Sequence, residues 1–134
     1  MSLNWPTYGL GNVASYQAST QPFLTSSLHV TGSSPLEIKF PAVTKFVTVT
    51  NTLPGGVTNV PLRVGFSRNG ILATENTNYF VLNNNESYEG NFSVTSVFLY
   101  SDSTLACSGS VMAGLTNILP ERLADNWSGS LGVG

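Results

Sequence analysis

From residue 34 to residue 119 the chain is a succession of short apolar–polar alternations, each closed by a turn signal after roughly 8–12 residues. Side chains change sides at every residue of an extended strand, whereas a helix returns to the same face every 3.6 residues. The pattern therefore specifies strands with one face in a core, and it excludes long amphipathic helices. Leu36-Glu37-Ile38-Lys39-Phe40 sets apolar against charged side chains until Pro41-Ala42 breaks the run. Val43 to Asn51 is rich in β-branched residues, with Val43, Val47 and Val49 on one face and Thr44, Thr48 and Thr50 on the other. Lys45 and Phe46 fall out of phase, which predicts a bulge or an edge-facing aromatic there.

The same grammar continues. Leu53-Pro54-Gly55-Gly56 signals a turn, and Val60 to Ser67 places Leu62, Val64 and Phe66 opposite Arg63. Asn69-Gly70 reads as a tight turn, because both residues tolerate positive φ, and it leads into a short strand at Ile71 to Thr74. Tyr79 to Leu82 is a compact strand, followed by a turn at Asn83-Asn84-Asn85. Ser87 to Tyr100 holds a strand pair or one long bent strand. Its end, Val97-Phe98-Leu99-Tyr100, is apolar on both faces and so is either central in a sheet or covered by a partner. In Thr104 to Leu115 the residues Leu105, Cys107, Val111, Ala113 and Leu115 share a face. About eight antiparallel strands without repeat or linker make an all-β sandwich of two packed sheets. The Cys…Trp…Cys core of immunoglobulin domains is missing, which favours a single jelly roll.

The two ends read differently. Residues 1–33 carry spaced aromatics (Trp5, Tyr8, Tyr16, Phe23) with no sustained period, and read either as a disordered, loosely draped terminus or as an extended N-terminal arm ordered by neighbouring subunits. Residues 120–134 form a glycine-rich C-terminal tail with Trp127 and at most one helical turn over 121–126. The jelly-roll domain thus occupies 34–119, in a chain with room for one core.

Charged residues are 9% of the chain, against a typical quarter, and 13 Asn, 17 Ser and 14 Thr take their place. The basic residues Lys39, Lys45, Arg63, Arg68 and Arg122 are scattered and the net charge is −2, so no nucleic-acid partner is expected. Few charges also mean little repulsion between copies, a composition that permits dense assembly. No apolar stretch approaches the roughly 18 residues of a membrane helix, and Met-Ser-Leu-Asn-Trp-Pro lacks the basic and apolar regions of a signal peptide. The expectation is a soluble protein made in the cytosol, without direct membrane insertion.

Catalysis by a nucleophile requires a positioned base. His29 is the single histidine and lies in the irregular N-terminal segment; Cys107, the single cysteine, sits on an alternating apolar face and reads as a small buried hydrophobe. The acids Glu37, Glu75, Glu86, Glu89, Asp102, Glu121 and Asp125 are dispersed. The expectation is therefore no enzyme, no catalytic residues, no metal and no cofactor. Sequons occur at Asn85, Asn91 and Asn126, as chance supplies in so Asn- and Ser-rich a chain.

The order of Leu-Glu-Ile-Lys-Phe-Pro-Ala-Val-Thr-Lys-Phe-Val-Thr-Val-Thr-Asn, Leu-Arg-Val-Gly-Phe, Asn-Tyr-Phe-Val-Leu, Val-Phe-Leu-Tyr-Ser and Ala-Gly-Leu-Thr-Asn-Ile resembles the penton proteins of large icosahedral double-stranded DNA viruses such as those infecting algae. The resemblance covers about residues 34–119. It implies a single jelly roll whose homopentamer closes a ring at each capsid vertex, beside major capsid proteins with double jelly rolls and minor capsid proteins. It further implies residence in the virion shell after synthesis in the host cytoplasm. The subunit-interface residues expected on this reading are Trp5, Tyr8, Tyr16, Phe23, Phe46, Val97, Leu99 and Trp127. A minor or cementing capsid protein is a variant of it. A receptor- or carbohydrate-binding sandwich such as a fibre head is the alternative, though Trp5 and Trp127 lie near the termini and make no platform on a strand face.

Overall fold

Where the sequence alternates, the chain is extended. A computed structural model describes residues 21–53, 56, 58–72 and 77–134 (of 124 and 125 the backbone alone). Among the described residues the strands are β1 (Gln21–Val30), β2 (Leu36–Lys39), β3 (Thr44–Asn51), β4 (Leu62–Gly65), β5 (Phe80–Leu82), β6 (Ser87–Gly90), β7 (Ser96–Ser101) and β8 (Cys107–Leu115). A single-turn helix α1 (Arg68–Leu72) follows β4, and a 3₁₀ segment spans Pro120–Trp127.

The strands form two four-stranded sheets, ordered β1-β8-β3-β6 and β2-β7-β4-β5. The antiparallel pairs β4·β5, β3·β6, β2·β7 and β1·β8 nest inside one another, as in a long hairpin folded at its middle. Alternate pairs fall in opposite sheets, and β3·β8 and β4·β7 join them into continuous layers. A ribbon rolled in this way is a single jelly roll.

The inward positions meet as one core. Val47 and Val49 of β3 with Cys107, Val111, Ala113 and Leu115 of β8 pack against Leu62 and Val64 of β4 and Val97 and Leu99 of β7. Each buried aliphatic side chain contributes about 1.5–3 kcal/mol relative to exposure. Val43, Ile118 and Leu123 make a smaller cluster. The fully buried Asn51 on β3 ties the layers together: its Nδ2 donates to the carbonyls of Val60 (3.0 Å) and Leu82 (3.1 Å), and its Oδ1 accepts from Leu53 N (3.2 Å). The expected irregularity at Lys45–Phe46 is present as a register shift between Thr44 and Phe46 against β8.

Four expectations are corrected. First, the arm does not extend to residue 33, because Gln21–Val30 is an edge strand paired with β8. Phe23 and Thr25 are in phase with each other, as are Leu28 and Val30, but a bulge at Ser26–Ser27, with Ser27 at φ 56°, separates the two halves and destroys the overall period of two.

Second, residues 71–72 are helical. Ser67 caps α1 by accepting from Gly70 N at 3.0 Å, and Ile71 lands fully buried against Gly65, where a Cβ would stand 3.4 Å from the Ile71 Cβ. Third, the tail is part of the sandwich. Leu123 and Asn126 are buried, and Ser67 Oγ donates to the Val133 carbonyl at 2.7 Å. Fourth, Val97 and Leu99 are not at a rim. They are fully buried core residues, since β7 lies centrally between β2 and β4.

Candidate assembly surface

A sandwich has two outer sheet faces, and in this molecule they are treated unequally. On the β2-β7-β4-β5 sheet, α1 covers part of the face through Ile71. Arg63 covers more. Its guanidinium lies 4.4 Å from the Tyr79 ring centroid and 5.5 Å from that of Tyr100, pairs with Asp102, and donates from Nη1 to the Ile71 carbonyl at 3.1 Å. An ion pair, a backbone carbonyl and two ring faces thus hold this side chain, which makes it a local clamp.

The β1-β8-β3-β6 sheet has no such cover among the described residues. Its outward side chains fall in rows fixed by register. Pro22, Gly114 and Phe46 form one row; Leu24, Met112, Thr48 and Glu89 the next; Ser110, Thr50 and Ser87 the third. From Pro22 to the Ser110–Thr50 row across β1, β8 and β3, these positions carry no ionisable side chain. Leu24 is 69% exposed and Met112 42% exposed. Between them and the threonines of β3 runs a shallow groove of about 700 Å³, lined by Leu24, Thr48, Thr50, Ser110 and Met112. At its floor, the Thr48 hydroxyl is buried without a hydrogen-bond partner among the described residues. An antiparallel sheet that faces water on one side ordinarily carries charged and polar residues there. Leu24, Phe46 and Met112 depart from that pattern.

Of the expected interface residues, Phe46 lies half-buried on this strip. Phe23 points the other way and packs edge-to-face with Phe40, ring centroids 5.1 Å apart, at the margin of the core. Trp127 is 43% exposed, held at φ 65° with its Nε1 donating to the Ser93 carbonyl at 2.5 Å, and stands apart from the strip on the C-terminal segment. Trp5, Tyr8 and Tyr16 lie outside the described residues. Leu24 and Met112 escaped sequence reasoning. Met112 did leave a signal, as an apolar residue on the polar phase of β8, between the inward Val111 and Ala113.

The remaining chemical groups are dispersed. His29 pairs across strands with Ser108 and Cys107 with Val30; neighbouring positions on a strand point to opposite faces, so His29 and Cys107 lie on opposite sides of the sheet. Burial raises the Cys107 thiol above its ordinary range, and a hydrogen bond with Ser101 offsets part of this. No group of three or more His, Cys, Asp or Glu gathers among the described residues. Among the sequons, Asn85 and Asn91 are exposed, whereas Asn126 is buried with its amide engaged. Its Oδ1 accepts from Thr95 N, Thr95 Oγ1 and Ser96 N, and its Nδ2 donates to the Phe66 and Ser96 carbonyls. Asn126 is thus a structural bolt that leaves no amide hydrogen for a glycan in the folded state.

Compared with known proteins, the chain matches no family model and no curated protein sequence.

Proposed function

We propose that this chain is a structural subunit of an icosahedral virus shell, the vertex protein that closes into a ring of five copies. Five copies close a ring when each offers two different patches that meet head to tail. The uncharged strip of Leu24, Phe46 and Met112 is one of these patches, and it is the observation that carries the reading. It lies on an otherwise complete single-core jelly roll, a fold that serves shells well because a stiff sandwich keeps its shape while its faces and loops take up contacts. The resemblance of the strand sequence to penton proteins gives the number five and the neighbours: larger capsid proteins with double jelly rolls, and minor capsid proteins. The scattered basic residues and the net charge of −2 support binding to other protein over contact with the genome.

Sedimentation over a range of concentrations, followed by imaging of the largest species, tests the reading. The expected species has five times the mass of the 14.2 kDa chain and ring symmetry. A chain that stays monomeric at every concentration and binds glycans on an array would instead support the fibre-head alternative.

A further inference from the structure

We propose that the strip on the outer face of the β1-β8-β3-β6 sheet receives residues 1–20 of a neighbouring copy, so that each subunit is tied to the next by its amino-terminal segment. This rests on the assembly reading and names the occupant of its surface.

The first argument is charge. Residues 1–20 contain no Asp, Glu, Lys, Arg or His, and they carry Leu3, Trp5, Tyr8, Leu10, Val13 and Tyr16. Across β1, β8 and β3 the receiving rows likewise hold no ionisable side chain and offer Leu24, Phe46 and Met112, with Glu89 of β6 and the bulged Lys45 at their margins. Joining the two along β1 and β8 avoids desolvating a charge, which is the large penalty in burying a typical protein surface, and leaves Glu89 and Lys45 at the rim.

The second argument is direction and reach, and it decides between the chain's own segment and a neighbour's. The segment joins β1 at Gln21, which pairs with Leu115 at the end of the sheet. Pro22 follows, and a residue before proline is held extended, so Gln21 carries the chain off the end of the sheet and away from Leu24. Pointed outward, the whole segment reaches up to about 70 Å, enough to cross a neighbouring subunit.

The test uses the full chain with the photo-crosslinking residue benzoylphenylalanine in place of Trp5, mixed with isotopically heavy unsubstituted copies and irradiated. The expected links join light segment to heavy sheet and land on residues 46–50 or 108–114. Links confined within one copy, or landing on other surfaces, overturn the proposal. The mass of the mixture is read in the same samples. Oligomers with links elsewhere defeat this inference alone, and monomers throughout defeat the assembly reading as well. Where substitution of Trp5 itself abolishes assembly, the same residue at Tyr8 gives the readout. Heavy copies carrying Met112→Glu are expected to lose about tenfold or more of the cross-link yield while melting as the parent does; an unchanged yield would also overturn the proposal.

Discussion

Leu24 on β1 and Met112 on β8 are cross-strand partners whose side chains both point away from the core of the jelly roll. Two apolar side chains left largely in water add little to the folded monomer beyond their contact with each other. Their burial against another surface would contribute on the order of 25 cal/mol per Å² removed from water. These side chains would thus gain more from burial against a partner than from folding, and mutation separates the two effects.

Leu24→Glu is expected to leave the stability of the dilute monomer within about 0.5 kcal/mol, because the side chain makes no core contact. Association is expected to weaken about tenfold or more, since the carboxylate must be desolvated in the interface. Thermal denaturation at low concentration and sedimentation at high concentration check the two halves.

Asn126→Ala removes the acceptor of Thr95 N and Ser96 N and the donor to the Phe66 and Ser96 carbonyls. Unpaired buried groups cost about 1–3 kcal/mol each, and partial rehydration recovers some of this, so a net loss of about 3 kcal/mol or more is expected in urea denaturation. Asn126 sits at φ 48°, which glycine adopts without strain. Asn126→Gly is therefore expected to lose somewhat less than Asn126→Ala.

Arg63→Lys retains a cation near Asp102 and forfeits the planar stack on Tyr79 and Tyr100, together with the bond to the Ile71 carbonyl. A loss of about 1–2 kcal/mol is expected in chemical denaturation. Added salt is expected to remove little of the difference, since stacking and the carbonyl bond are screened less than the ion pair.

Cys107 provides a pH dependence. Its folded pKa lies above the unfolded one, because burial disfavours the thiolate. The unfolded chain thus ionises first, near pH 8.5, and from there upward the folded state loses stability until the folded thiol also titrates. Stability is expected to be insensitive to this group below about pH 8 and to fall above about pH 9, a fall that Cys107→Ala abolishes. Native Cys107 is expected to react with thiol reagents only at the rate of opening or unfolding.

How much of this was legible depends on where the period of two survives. β3, β4 and β8 keep it, and the phase of Val47, Val49, Leu62, Val64, Val111 and Leu115 points them inward, where the core has them. β1 breaks it, because one extra residue at Ser26–Ser27 puts Phe23 and Leu28 on the same side at an odd spacing. α1 lies where the sequence predicts a tight turn at Asn69-Gly70 and a short strand from Ile71; the cap from Ser67 and the space over Gly65 that receives Ile71 are tertiary facts. Val97 and Leu99 are ambiguous in sequence, because apolar residues on both strand faces admit a central strand or one covered by a partner, and β7 is central in its sheet. The strip itself is hardest to read. Leu24, Phe46 and Met112 come from three distant segments, and only pairing register sets them side by side.

The central claim, that this strip is buried against protein in the working assembly, is tested most directly by hydroxyl-radical footprinting of Met112 in dilute subunits and in assembled particles. The account predicts ready oxidation of Met112 in the free subunit and strong protection in the particle. Equal oxidation of Met112 in the two states, with the particles intact, would contradict it.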